Sequence, residues 1–145
     1  MKETDADPNN FDIEITEMSM LDYNEELIHK INELKAMGIT ISIDDFGTGY
    51  SSLSYLKKIP VNYLKIDRSF IVSITEGPSG VAMVAAIISL ANALNMQVVA
   101  EGVEKVEEID ILKQYQCQYV QGYYFSKPLP AEQFEQKIKE NFPVI

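Results

Sequence analysis

The sequence has one cysteine, one histidine and no tryptophan among its 145 residues. A single cysteine, Cys117, cannot form an intramolecular disulfide, so a buried, reduced thiol is expected. No apolar run approaches the roughly 20 residues that cross a bilayer. The first ten residues (MKETDADPNN) are polar and acidic, unlike a signal peptide. We therefore expect a cytoplasmic protein or protein segment, with no direct membrane insertion.

Basic side chains are also scarce, since 12 Lys and Arg stand against 22 Asp and Glu and give a formal net charge of −10. This balance argues against DNA, RNA and anionic membranes as partners, because they require a cationic surface. An anionic small ligand stays compatible with this charge if metal ions mediate its contacts. Hydrophobic residues make up 46% of the chain, which is enough for one globular domain with its own core.

Short β-rich runs alternate with helical patterns along the chain. Five runs are predicted as strands: 11–16 (FDIEIT), 39–43 (ITISI), 61–66 (VNYLKI), 96–100 (MQVVA) and 117–120 (CQYV). Helices are predicted over 27–37 with a C-cap at Gly38, over 80–95 as a well-buried helix, over 106–113, and after Pro130. Strands that alternate with helices form a parallel sheet with right-handed crossovers, so the predicted fold class is α/β.

Polar or charged residues stand at the C-terminal end of every predicted strand. They are Glu14 and Glu17, Asp44 and Asp45, Lys65 and Asp67, Glu101 and Glu104, and Gln121. In parallel α/β proteins the C-terminal ends of the strands form the ligand-binding face. Helix capping explains one such carboxylate, whereas five strands in succession favour a ring of active-site residues.

Carboxylates without histidine or cysteine are typical of a site for a hard cation such as Mg²⁺, Mn²⁺ or Ca²⁺. Neighbouring strand residues point to opposite faces, so Asp44 and Asp45 reach one site only where the strand breaks. The glycines of the following FGTGYSS string permit that break. Two acids there suit two metal ions, an arrangement used in phosphodiester cleavage. Lys65 has two interpretations: it contacts water or a phosphoryl oxygen, or it forms a structural salt bridge.

Five strings in this sequence are specific enough to indicate a family: EITE at 14–17, DDFGTGYSSL at 44–53, KIDRSF at 65–70, AEGVE at 100–104 and QGYYFSKPL at 121–129. In order and spacing they resemble the EAL family of bacterial cyclic di-GMP phosphodiesterases. The resemblance implies a partial (β/α)₈ TIM-type barrel of about five strand–helix units. It also implies hydrolysis of cyclic di-GMP to linear pGpG with Mg²⁺ or Mn²⁺, and Ca²⁺ is expected to bind and inhibit. An unrelated Mg²⁺ barrel enzyme of the enolase kind would explain the acids but not the five strings.

The resemblance also implies roles for residues in the matching strings. Glu14, Asp44, Asp45 and Glu101 correspond to metal ligands, and Lys65 and Glu101 to catalytic residues that hold or activate the attacking water. The implied substrate-binding and supporting residues are Glu17, Gly47, Thr48, Gly49, Tyr50, Ser51, Asp67, Glu104, Gln121 and Pro128. Glu17 and the 45–52 loop resemble an element that couples substrate, metal and dimer contacts.

Two features of the family do not occur in this sequence: the glutamate of the Glu-Ala-Leu signature and a metal-binding asparagine, both expected before Glu14. We therefore divide the chain into a polar lead-in at 1–10 and the C-terminal part of an EAL domain at 11–145. The isolated chain is expected to be weakly active or inactive, and the alternative is a non-catalytic module that binds cyclic di-GMP or another protein. Exposed strand edges predict a homo-oligomer, as a dimer or an intermolecular assembly. The expected location is the cytoplasm, or the cytoplasmic part of a larger signalling protein.

Overall fold

The computed structural model describes residues 5–22, 24–49 and 53–139. Its five strands are β1 (Asp12–Thr16), β2 (Thr40–Phe46), β3 (Tyr63–Ile66), β4 (Gln97–Glu101) and β5 (Tyr119–Gln121). Its six α-helices are α1 (Glu25–Ala36), α2 (Leu53–Leu56), α3 (Arg68–Ser73), α4 (Pro78–Ala93), α5 (Val106–Gln114) and α6 (Ala131–Lys139). Two 3₁₀ turns, Pro8–Asn10 and Glu17–Asp22, flank β1. Within these described ranges, no helix is both long enough and apolar enough to cross a membrane.

The strands form one parallel sheet in the order β1-β2-β3-β4-β5, which is also their order in the chain. Because all five strands run parallel, their C-terminal ends lie together at one end of the sheet. The register places Thr16 opposite Asp44 and Glu101 opposite Gln121. The sheet thereby brings the polar strand ends that the sequence identifies to a common edge.

The hydrophobic core lies between the sheet and its helices. Alternate residues of β2 and β3, among them Ile41, Ile43, Leu64 and Ile66, are fully buried on the helix side. Their neighbours face the other side of the sheet because the side-chain period of a strand is two. That second face, called the inner face below, carries polar residues. The hydrophobic core therefore covers one face of the sheet and leaves the polar side chains of the inner face available to bind a ligand.

The observed strands agree with the five predicted runs to within two residues at each start and three at each end. The helix predicted at 80–95 is observed as α4, which begins at Pro78 and ends before Asn95, where φ is +59°. It is less buried than expected, because Met83 is 51% exposed on its outer face. Self-association stays a prediction, because the structure describes a single chain.

Cys117 lies two residues before β5 and is half-buried rather than fully buried. Burial raises the pKa of its thiol to about 11. Because the thiolate is the reactive form, we expect alkylation of the native chain at pH 8 to be about 100-fold slower than that of an unperturbed cysteine. The rate should then rise tenfold for each pH unit until the pH approaches this pKa.

The measurement is the rate of iodoacetamide labelling, followed by mass spectrometry, with the urea-unfolded chain as the control. The unfolded chain should react at the ordinary rate, because unfolding removes the burial. Equal labelling rates for the native and unfolded chains at pH 8 would contradict the expectation.

Candidate active site

Three carboxylates from different strands converge on Lys65, near the C-terminal end of β3. Lys65 Nζ lies 2.5 Å from an oxygen of Glu14, 2.8 Å from Glu101 and 3.1 Å from Asp44. The lysine side chain is only 10% exposed, while those of Asp44 and Glu101 are 21% and 19% exposed. The parallel strands place these side chains on one face of the sheet. Asp44 and Glu101 belong to the two strands beside β3, and Glu14 belongs to β1, one strand further away.

The cluster combines one buried ammonium group with three carboxylates. Burial by itself lowers the pKa of Lys65, but its interactions with Glu101, Glu14 and Asp44 outweigh burial and raise the pKa above its ordinary value. The pKa of Glu101 is raised, first by burial and then by the charges of Asp44 and Glu14, although Lys65 opposes this shift. One ammonium group does not neutralise three carboxylates, so the cluster retains an excess of negative charge that favours a cation.

Asp44 has one oxygen whose hydrogen-bonding capacity is unused. Its Oδ1 is within ion-pair distance of Lys65 Nζ, yet it is buried without a hydrogen-bond partner among the residues that the structure describes. A buried acceptor of this kind carries a desolvation cost that a bound ligand would offset. Over those same residues, no three or more His, Cys, Asp or Glu side chains are arranged around a common metal position. Lys65 stands at the centre of the carboxylates instead.

Asp45 follows Asp44 within β2, and the structure corrects the expectation that the strand breaks into a loop at this pair. The strand continues to Phe46, so the break is an irregularity in the pairing between Ile43 and Phe46 rather than a loop that begins at the pair. Asp45 has a left-handed backbone, with φ of +53°. Its pKa is raised mainly by the charge of Asp44, with further contributions from burial and from Asp67.

Glu17 connects β1 to the loop that follows β2. It is a buried carboxylate, and its Oε2 accepts hydrogen bonds from the backbone amides of Gly47 (2.8 Å) and Gly49 (3.0 Å). Thr48, between the two glycines, donates from its hydroxyl to the backbone oxygen of Asp45 at 2.8 Å. Glu17 and the loop after β2 are therefore in direct contact, and their coupling of substrate, metal and dimer contacts stays a prediction. Two further predicted residues of the loop, Tyr50 and Ser51, lie outside the described residues.

Asp67 and Glu104 each have a partner of their own. Asp67 caps α3 by accepting from the amide (3.0 Å) and the hydroxyl (2.5 Å) of Ser69. Burial alone would raise the pKa of Asp67, but these hydrogen bonds lower it. Glu104 accepts from Nη2 of Arg68 at 2.7 Å. The helix cap and this exposed ion pair are local structural contacts at the same edge of the sheet as the Lys65 cluster.

A cleft of about 430 Å³ opens on the inner face of the sheet, beside the cluster. Residues from all five strands line it, among them Glu14, Ser42, Tyr63, Lys65, Tyr119 and Gln121. Gln121 therefore lines this cleft, and its role in binding the nucleotide stays a prediction. Pro128 is exposed in the segment between β5 and α6.

A second layer of side chains lies two positions before a predicted site residue on each of four strands, and its role was not predicted from the sequence. Ser42 donates to Asp12 at 2.6 Å, and the rings of Tyr63 and Tyr119 meet edge to face with centroids 5.7 Å apart. The period of two along each strand could have found these residues. Asp12, Ser42, Tyr63 and Tyr119 each precede a residue of the predicted site by two positions.

Glu108 was also missed, although it is 1% exposed and fixes the loop after β4. Its Oε2 accepts from the backbone amides of Glu104 (2.8 Å) and Lys105 (3.0 Å). A glutamate at the third position of a helix is half of a capping box. The other half is normally Ser or Thr. Because this sequence has Lys105 at that position, the pattern of a capping box is incomplete and did not predict the role of Glu108.

Comparison with known proteins gives a consistent result. The family model described as the EAL domain matches residues 1–128. The signaling protein YkoW of Bacillus subtilis is 45% identical over 133 residues, which are 92% of this chain and 17% of YkoW. The cyclic di-GMP phosphodiesterase NbdA of Pseudomonas aeruginosa is 41% identical over 128 residues, which are 88% of this chain and 16% of NbdA.

A solved structure, the PaMucR phosphodiesterase in complex with c-di-GMP, superposes with a TM-score of 0.85 at 41% identity. The superposition covers 92% of this chain and 54% of that one. It confirms the predicted α/β class, with five parallel strand–helix units that form part of a TIM-type barrel. The chain spans only about one sixth of the length of the two curated relatives.

Proposed function

This chain belongs to the EAL domain family, and from that premise we propose that it forms part of a bacterial signalling domain that hydrolyses cyclic di-GMP to linear pGpG with Mg²⁺ or Mn²⁺. The observation that carries the proposal is the convergence of Glu14, Asp44 and Glu101 on Lys65. The names of NbdA and of the PaMucR complex support the choice of cyclic di-GMP as substrate.

The donor set fits the proposed metal ions. Glu14, Asp44, Asp45 and Glu101 offer only carboxylate oxygens, which are the ligands that Mg²⁺ and Mn²⁺ prefer. The Oδ1 of Asp44, which is buried without a hydrogen-bond partner among the described residues and pairs only electrostatically with Lys65, supplies an acceptor for a cation. When bound, such ions polarise phosphoryl oxygens and lower the pKa of water.

Lys65 has the position to serve the reaction directly. Its ammonium group is held by carboxylates from β1, β2 and β4, so its location is fixed before any substrate enters. An ammonium group pre-positioned in this way can donate to a phosphoryl oxygen or orient the attacking water, without reorganisation during the reaction. Gln121 extends the same polar surface into the cleft, where it could bind the nucleotide.

The 145 residues supply part of the ligand set that the family uses, since the signature glutamate and the asparagine do not occur before Glu14 in this sequence. We therefore expect these residues alone to bind the nucleotide but to hydrolyse it slowly. Binding without cleavage, as in a sensor module, is the alternative function, and product analysis distinguishes the two.

The test is calorimetric titration of cyclic di-GMP into the purified chain with Mn²⁺ and, separately, with Ca²⁺, together with chromatography of the nucleotide products. We expect binding with either ion and slow formation of pGpG with Mn²⁺ only. Asp44→Asn should lose both activities, whereas Asp110→Asn, an exposed acid on α5, is the matched control and should lose neither. A folded chain that neither binds nor cleaves the nucleotide would contradict the proposal.

A further inference from the structure

Two side chains from other parts of the chain contact the turn that follows Asp45. Glu17 accepts hydrogen bonds from the amides of Gly47 and Gly49. The aromatic ring of Phe70 packs against Gly47. A Cβ atom added to Gly47 would lie 2.5 Å from Cε2 and 2.7 Å from Cζ of that ring, so no side chain fits between them. Gly47 also has φ of +102°, a conformation that glycine adopts readily.

Asp45 needs such external support because its own backbone is strained. A left-handed residue other than glycine persists only where the surrounding structure determines its conformation. The backbone oxygen of Asp45 accepts from the amide of Thr48 at 3.3 Å and from its hydroxyl at 2.8 Å. The turn that starts at Asp45 therefore includes Gly47, the residue on which Phe70 packs.

The position of Phe70 is itself fixed by the site. Phe70 lies in α3, which starts directly after Asp67 and is capped by that carboxylate. The backbone amide of Phe70 donates to the backbone oxygen of Asp67 at 3.1 Å. The next residue, Ile71, is fully buried and anchors the helix in the core. The helix thus links β3, which carries Lys65, to the turn after β2.

We infer that Phe70 is a positioning residue whose ring, by packing on Gly47, keeps the turn and the carboxylate of Asp45 beside Asp44 and Asp67. The inference has two steps: Phe70 holds the turn, and the turn places Asp45 as a metal ligand. The second step rests on the proposed function. Phe70 has no polar side-chain atom, so it acts only through Gly47 and the turn. Glu17 contacts the same turn through its carboxylate, and we expect loss of the Phe70 ring to loosen the turn although these two hydrogen bonds remain.

The first arm of the test measures the turn without any ligand. Hydrogen exchange of the Gly47 and Gly49 amides is compared in the full chain and in Phe70→Ala, Phe70→Leu and Ile71→Val. We expect exchange at both glycines to accelerate about tenfold in Phe70→Ala and less in Phe70→Leu, with the amides of β3 and β4 unchanged. Ile71→Val, a truncation in the same helix, should not accelerate the two glycines selectively.

The second arm measures Mn²⁺ affinity from the electron paramagnetic resonance signal of the free ion. Phe70→Ala should bind Mn²⁺ about tenfold more weakly than the wild-type chain, and Ile71→Val should match the wild type. If the alanine variant fails to fold, the leucine variant provides both readings.

The two arms fail separately. Unchanged exchange at Gly47 and Gly49 in a folded Phe70 variant overturns the inference, and so does faster exchange with unaltered Mn²⁺ affinity. If the wild-type chain binds no Mn²⁺ while the Phe70 variants still release the turn, the proposed function fails for this chain and the positioning of the turn by Phe70 stands.

Discussion

Replacing Lys65 with methionine is expected to lower the free energy of unfolding by about 3 kcal/mol, because removal of one partner from a buried ion pair leaves uncompensated charge. Methionine retains most of the apolar stem, so the change mainly removes the ammonium group. Asp44, Glu101 and the half-exposed Glu14 would then remain as like charges around the position of the lost ammonium group. Protonation of one carboxylate would relieve part of that repulsion, so we do not expect a loss of stability much larger than about 3 kcal/mol.

The measurement is urea unfolding followed by circular dichroism. Lys30→Met is the matched control, since Lys30 also pairs with a glutamate, Glu26, at 2.6 Å, but both side chains are exposed. Exposed ion pairs of this kind contribute little to stability, so the control should unfold at the wild-type urea concentration. A Lys65→Met variant as stable as this control would show that the cluster does not depend on its ammonium group.

The sequence predicted the sheet well because each strand has a local signal. The run around Ile41 and Ile43 is β-branched and ends in two aspartates, so both the strand and its functional end are visible in a few residues. Helices α2 and α3 have four and six residues, which is too short for a helical period to show. Their existence depends on tertiary contacts, such as the burial of Leu56 and Ile71.

The candidate site was predictable where it lies at the ends of strands and not where it depends on distant contacts. Glu14, Asp44, Lys65 and Glu101 converge as the parallel order requires. The left-handed conformation of Asp45 depends instead on side chains outside its own strand, and no local pattern reports them. For Lys65 the sequence allowed a salt bridge or a catalytic contact, and the structure shows the salt bridge, which is also what would hold Lys65 in place for catalysis.

Removal of the Glu108 carboxylate is expected to have the second large effect. Glu108→Ala should lower the free energy of unfolding by about 3 kcal/mol, because two backbone amides lose a charged acceptor and a fully buried side chain is truncated. Those amides belong to Glu104 and Lys105, so the loop between β4 and α5 loses the contact that fixes it. Urea unfolding measures the change in stability.

Glu108→Gln separates the lost acceptor from the lost volume. Glutamine fills the same space and keeps one amide oxygen toward the backbone, so it should retain more than half of the stability that alanine loses. Its oxygen is uncharged and therefore a weaker acceptor, so it should not match the wild type. If the glutamine variant were as unstable as the alanine variant, refilling the volume would have restored nothing, and the charge of the carboxylate rather than its packing would determine the role of Glu108.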